Sequence, residues 1–178
     1  IFMIIGEIGL NHFGSEKYAE CYIEKLINSN VDGYTFQIAR DIFYKNQNIN
    51  FKLTKKFYKK AIVLGHRANK KVGIALADIN QIKNFSKLNF DFIKFLSVAT
   101  KAISKKIIIK NKDLFLSIGM SNYDEVKNVL NLISNNQTTL LYTNFDKKNE
   151  NLDSKIFKKL NKKFKKDIGY VHHGINHK

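Results

Sequence analysis

Proline is absent from this chain, cysteine occurs once, and only Arg40 and Arg67 are arginines among 31 basic residues. A single thiol, Cys21, excludes an internal disulfide and suits a reducing cytosol. No apolar run approaches the roughly 18 residues that span a bilayer, because Lys or Asn interrupts each one. No basic-then-apolar leader with a small-residue cleavage site is read at the start. The expectation is therefore a cytoplasmic protein without membrane attachment. Templates for several chemistries are also missing. There is no Cys/His cluster of zinc spacing, no G-x-S-x-G elbow, no P-loop, and no G-x-G-x-x-G turn after the first strand.

What is abundant is Lys, Asn and Ile. The net charge of +16 raises the question of nucleic acid. Phosphate and base recognition favours the planar Arg fork, and nearly all the positive charge here is Lys. The Lys residues are scattered over helix faces, densest from Lys158 to Lys166, and read as solvated surface rather than a nucleic-acid patch. With no proline, this composition has the look of AT-rich coding. Apolar residues at 44% and aromatics at 12% exclude a disordered chain, and 178 residues suffice for one domain with a substantial core.

Short, nearly continuous apolar runs begin near Phe2, Gly33, Lys71, Asp91, Asp113, Thr138 and Asp167. Runs of that kind fit strands buried on both faces. Helical patterns separate most of them. Ala19, Tyr22, Ile23, Leu26 and Ile27 form one stripe, Thr54 opens a Lys-rich helix bearing Phe57, Ile62 and Leu64, and Asp78 precedes Ile79, Ile82 and Phe85. Ser121 with Asp124 reads as a capping box, Leu152 to Phe164 as the last helix, and Ala102 to Lys110 as a short helix. Strand–helix alternation implies parallel strands with right-handed crossovers. The fold class is α/β, either a doubly wound sheet or a (β/α)8 barrel. Polar residues recur at the C-terminal ends of the strands: Glu7, Gln37, Lys94 with Ser97, Ser117, Asn144, and His172 with His173. A barrel brings all such ends to one mouth, which favours the (β/α)8 TIM barrel. Only seven strands are read, so the expectation is a single, incomplete barrel domain without its eighth strand.

The residues suggest chemistry but leave alternatives open. Glu7 suits a general base, a sugar ligand, or a carboxylate paired with a Lys. Lys94, inside an apolar strand, needs an anionic partner, either a phosphate or carboxylate ligand or Glu7 itself. His12, beside Asn11 in the first loop, suits a substrate contact or a loop-stabilising role. Ser97 and Ser117 suit phosphate oxygens. Of the His172–His173 pair only one can face the mouth, so spacing alone supplies a single metal ligand.

The stretch "IIGEIGLNHFGSEKYAECYIEKLINSNVDGYTFQ" resembles the A-E-I-G-x-N-H-x-G opening and K-x-Q second strand of the N-acetylneuraminate (sialic acid) synthase family, which includes legionaminate and pseudaminate synthases. "FIKFLSVA", "LFLSIGMSNYDEVKNVL", "TTLLYTN" and "DIGYVHHG" are similar, in order, to its Y-K-I-G-S-G-E, I-L-S-T-G-M-x-x-x-x-E-I, L-L-H-C-T-N and I-G-Y-S-D-H-T blocks. The resemblance implies a TIM barrel that condenses phosphoenolpyruvate with the open-chain aldehyde of an N-acetylated aminosugar, such as N-acetylmannosamine. The product is a nine-carbon 2-keto acid, with phosphate lost by C–O cleavage. It further implies a divalent metal, Mn²⁺ or Mg²⁺, a homodimer, and a C-terminal antifreeze-like domain, not read in this chain. By position, Glu7 matches the acid at the mouth and Gln37 the glutamine that contacts the sugar. Lys94, Ser97, Ser117 and Asn144 match the groups around phosphoenolpyruvate, Asn11 and His12 the first loop, and His173 a metal histidine.

The chain also departs from the pattern. Thr35 stands at the second-strand lysine, Leu76 at a phosphate-binding threonine, and Ala99 at the acid of G-S-G-E. Val171 and His172 replace Ser-Asp, and Asp146 replaces a tyrosine. Losing one charged partner of a bound phosphate costs on the order of 2–5 kcal/mol. A diverged, inactive homologue that binds sugar or phosphate, or serves as a partner subunit, is therefore the alternative reading.

Overall fold

The computed structural model describes residues 3–47, 49–109, 111–134, 137–143 and 154–173. Their contacts group into two compact units, Ile1–Lys94 and Phe95–Lys178. Each unit is built from parallel strands taken in chain order with helices between them, and together they supply the seven strands expected of a (β/α)-barrel α/β fold.

In the first unit the elements are β1 (Ile5–Gly9), α1 (Glu16–Ile27), β2 (Gly33–Ile38), α2 (Asp41–Lys45), α3 (Lys55–Arg67), β3 (Lys71–Leu76), α4 (Ile82–Phe85) and β4 (Phe92–Phe95). The strand order is β1-β2-β3-β4. Glu7 lies opposite Thr35, Thr35 opposite Gly73, and Ile38 opposite Leu76. Strand side chains alternate between faces, so a few contacts assign the whole sheet. A Cβ on Gly6 would meet Leu26 of α1, and one on Gly65 of α3 would meet Val72. The Tyr34 hydroxyl donates to the Ala61 carbonyl of α3 at 2.7 Å. Gly6, Tyr34, Phe36, Ile38, Val72, Ile74 and Leu76 therefore face the helices. Glu7, Thr35, Gln37, Gly73 and Ala75 take the other face. A Cβ on Gly73 would enter the Phe92 ring, which puts Phe92, and with it Lys94, on that same inner face.

The helix-facing layer is the core of this unit. Tyr34, Phe36, Val72, Ile74 and Leu76 are all fully buried. Phe36 packs edge-on against Phe57 and Tyr58, and Tyr58 in turn against Phe85 and Phe90. Each such side chain contributes about 1.5–3 kcal/mol through burial. Burial also pushes the Tyr34 and Tyr58 phenols well above their ordinary pKa, so both stay protonated. Ser15 caps α1 and Thr54 caps α3, each accepting a backbone N–H three residues on. Two polar contacts tie these helices together: Thr54 Oγ1 donates to Glu16 at 2.6 Å, and Lys60 pairs with Glu20 at 2.7 Å.

The second unit contains α5 (Ser97–Lys101), β5 (Asp113–Ser117), α6 (Tyr123–Leu132), β6 (Thr138–Tyr142), α7 (Ser154–Phe164) and β7 (Asp167–Tyr170). Its strands run parallel in the order β5-β6-β7, with Leu116 opposite Leu140 and Leu140 opposite Ile168. Leu114, Leu116 and Leu140 are fully buried.

Two local expectations are corrected. The cap of α6 is Asn122 with Glu125, one residue later than Ser121 with Asp124. Asn122 Oδ1 accepts from the N–H groups of Asp124 and Glu125, and the longer Glu125 side chain reaches back to the Asn122 N–H at 2.9 Å. That backbone hydrogen bond, and then Lys101, hold the Glu125 carboxyl below its ordinary pKa. The helix placed at Ala102–Lys110 instead occupies Ser97–Lys101. Ile107–Ile108 pairs as a two-residue parallel strand with Ile133–Ser134, as a β-branched run favours. In α7, Leu160 is buried while Lys155, Lys158, Lys159, Lys162 and Lys163 are exposed, as a solvated face requires.

Candidate functional site

On the inner face of the first unit an acid of β1 and a base of β4 meet. Lys94 Nζ donates to both Glu7 oxygens, at 3.1 and 2.9 Å. Glu7 is on β1 and Lys94 on β4, three strand spacings apart, about 14 Å on a flat sheet. Covering that distance would need both side chains fully extended along the surface. Strand side chains stand off the sheet instead, so their meeting reports a sheet curved toward this face. The inner-face residues between them are small, Thr35 on β2 and Gly73 and Ala75 on β3, and the Phe92 ring fills the space over Gly73. The Lys94 side chain is buried at 8% exposure, whereas the Glu7 side chain is 31% exposed. The register of β1 shifts between Glu7 and Gly9, a bulge immediately beyond the carboxylate. Of the two partners open to Lys94 in the sequence, the structure shows Glu7.

Gln37 follows Thr35 on the same face, opposite Ala75, and is half-buried. Thr35 itself is 1% exposed, and its hydroxyl makes a long 3.3 Å contact to the Phe36 carbonyl. Leu76, at the other departure on this sheet, is opposite Ile38 and faces the helices.

The first loop is tightly wound. Phe13 and Gly14 have φ of 50° and 78°, both left-handed. Gly14 is obligatory here, since a Cβ would fall on the Asn50 carbonyl. His12 is buried at 1% exposure, and its Nδ1 accepts the Gly14 N–H at 3.0 Å. Burial holds the imidazole below its ordinary pKa, so the ring is neutral with its proton on Nε2. That Nε2–H is buried and makes no hydrogen bond. Asn11 donates from Nδ2 to the Ile8 carbonyl at 3.0 Å. It also borders a shallow groove of about 380 Å³ with Phe13, Tyr18, Cys21, Tyr22 and Lys25 on the flank of α1. Tyr22, read from the sequence as part of the buried stripe, is 39% exposed there.

In the second unit, Ser97 opens α5 and Ser117 ends β5, both buried. Ala99 is packed in α5 at 1% exposure. His172 and His173 follow β7 and are exposed. Asn144 and Asp146 lie outside the described residues. Thr143, immediately after β6, is a buried polar residue that the sequence reading did not single out. Its signal was its place at a strand end, next to Asn144. Among the described residues no group of three His, Cys, Asp or Glu side chains could hold a metal ion. The described donor set therefore does not by itself fit a resident divalent metal. No helix among the described residues is long and apolar enough to cross a membrane.

The NeuB family model matches residues 17–178. The chain belongs to the NeuB family. It is 25% identical to the N,N'-diacetyllegionaminic acid synthase of Campylobacter jejuni, an alignment covering 96% of this chain and 60% of that protein. Among solved structures it is similar to an N-acetylneuraminic acid (sialic acid) synthetase from Leptospira borgpetersenii, crystallised with citrate. There the TM-score is 0.73 at 15% identity, covering 97% of this chain and 66% of that one. It is also similar to the spore coat polysaccharide biosynthesis protein SpsE of Bacillus subtilis, with a TM-score of 0.71 at 15% identity, covering 97% of this chain and 53% of that one. The chain thus spans about 60% of the length of the curated NeuB relative it matches. The family, and the fold class expected of it, agree with what the strand-end residues suggested.

Proposed function

We propose that this chain is the barrel portion of a synthase that joins phosphoenolpyruvate to the open-chain aldehyde of an N-acetylated aminosugar, releasing phosphate. The observation that carries the reading is the buried Lys94 held at Glu7 on the inner face of a NeuB-family sheet. A buried ammonium on that face is a cation suited to phosphate or carboxylate. A partly exposed carboxylate and the Gln37 amide suit sugar hydroxyls. Ser97, Ser117 and Asn144 are assigned to phosphoenolpyruvate, Asn11 and His12 to the first loop beside the sugar, and His173 to a metal. The Mn²⁺ or Mg²⁺ of the family resemblance would polarise the sugar aldehyde. The described donors do not complete a site for it.

The test is phosphate release from phosphoenolpyruvate by the whole gene product, with Mn²⁺ and either N-acetylmannosamine or a bacillosamine-derived sugar. Release that requires both substrates is the expected result, and none with any sugar overturns the reading. A second reading, a diverged homologue that binds sugar or phosphate without turnover, draws on the packing of the departures. Thr35, Leu76 and Ala99 are each at most 1% exposed and fit their surroundings as uncharged core residues.

A further inference from the structure

We propose that Glu7 is a built-in competitor for the anion that Lys94 would bind, and that Thr35 is the residue that leaves Lys94 tied to it. The inference rests on the reading of Lys94 as the cation for a phosphorylated substrate, and it specifies how that cation is made available.

The geometry carries the argument. An ammonium has three donors, and two of Lys94's go to one carboxylate, at 3.1 and 2.9 Å. Lys94 is 6% exposed, so an incoming anion has little independent access to it. On this face of β2, β3 and β4 the residues level with Glu7 or beyond it toward the strand ends are Thr35, Gln37, Gly73, Ala75 and Phe92, all uncharged, while Lys71 lies at the opposite end of β3. The two charges therefore cancel, and a phosphate approaching from solvent meets the more exposed member first, which repels it. Binding has to be an exchange: Glu7 leaves Lys94 and the anion takes its place. Glu7 is placed for that, being 31% exposed and next to the shift in strand register.

Thr35 lies directly opposite Glu7 in the β1–β2 ladder. It is the nearest inner-face position from which a second cation could hold Glu7 and leave Lys94 free. With a threonine there, the cation that holds Glu7 among the described residues is Lys94. The anion affinity of this face thus follows the charge at position 35, through the hold that a cation there would have on Glu7.

The experiment measures binding of inorganic phosphate to the full chain by titration calorimetry at low ionic strength. Wild type, Glu7→Gln, Thr35→Lys and the double variant Glu7→Gln/Lys94→Met are compared. Glu7→Gln is expected to bind phosphate at least tenfold more tightly than wild type, and the double variant to lose that gain. Thr35→Lys is expected to tighten binding while Glu7 is still present. Phosphate affinity unchanged or weakened in Glu7→Gln overturns the proposal, as does a gain that survives loss of Lys94. If Glu7→Gln does not fold, Thr35→Lys carries the same test, and unchanged affinity there overturns it. Turnover is a separate readout. A protein that releases no phosphate from phosphoenolpyruvate can still show this exchange, and an active synthase can lack it.

Discussion

Truncating the Glu7–Lys94 pair from either side should have unequal costs, because its two members are buried unequally. In Lys94→Met the apolar stem survives and the carboxylate is left behind. That carboxylate is 31% exposed and can be hydrated, so the loss is close to that of a partly exposed ion pair, about 1 kcal/mol. In Glu7→Gln the charge left behind is an ammonium at 6% exposure. An uncompensated buried charge costs about 3–5 kcal/mol, and the Gln carbonyl retains one hydrogen bond, which puts the expectation near the lower end, about 3 kcal/mol. In the double variant neither charge remains, so adding Glu7→Gln to Lys94→Met should cost under about 1 kcal/mol, leaving a coupling of about 2 kcal/mol. The assay is urea unfolding of the four proteins, followed by circular dichroism and fluorescence, with coincident transitions required before free energies are compared. The ordering is the sharp part. If Lys94→Met costs as much as Glu7→Gln, or the coupling falls below about 0.5 kcal/mol, the carboxylate is not what neutralises the buried lysine.

Two further perturbations probe the first loop. His12 has its pKa lowered from 6.5 by burial, so the unfolded chain binds a proton the folded one refuses. Stability is then full above about pH 6.5 and falls as pH drops toward the native value, at up to about 1.4 kcal/mol per unit. The urea midpoint of wild type should decline from pH 7 to 5.5 relative to His12→Gln, and parallel profiles would refute the assignment. Gly14→Ala combines a left-handed φ of 78° with a Cβ driven onto the Asn50 carbonyl, and should cost at least about 2 kcal/mol in the same assay. A loss below about 0.5 kcal/mol would mean the loop is wound differently.

The strands were legible because buried parallel strands are written as short apolar runs. Gly33, Lys71, Asp113, Thr138 and Asp167 begin the observed β2, β3, β5, β6 and β7, as read. The Asp78 and Thr54 caps were legible for a local reason: a side-chain oxygen accepting a nearby N–H depends on a few residues only. The α6 cap was misplaced by one residue because Ser121 and Asn122 are both good cap formers. Which is chosen depends on whether the acid three residues on, Asp124 or the longer Glu125, can reach back. The Ala102–Lys110 segment was misread because four consecutive residues, Lys106 to Ile109, are equally consistent with either period. Tertiary contact decides such cases. Glu7 and Lys94 are 87 residues apart, so sequence could name their pairing as one option but could not choose it. For His12 the loop-stabilising option is the one seen, Nδ1 accepting the Gly14 N–H, while its unpartnered Nε2 was beyond reach because it depends on the burial of a single ring nitrogen.

The departures from the family pattern are not equivalent once they have places. Position 76 faces the helices, opposite Ile38, so Leu76 extends a core layer and takes nothing from the inner face of this sheet. Position 99 is packed within α5. Position 35 is different. It lies opposite Glu7 on the inner face, where a lysine would add a second positive charge to a pair that now sums to zero. Thr35 alone among these three changes the electrostatic character of the surface on which Lys94 ends. On the proposed reading, a chain that keeps the acid and the buried lysine but not a neighbouring cation satisfies its own anion site from within. Whether a phosphorylated substrate can displace Glu7 is then a question about positions 7, 35 and 94, separate from turnover.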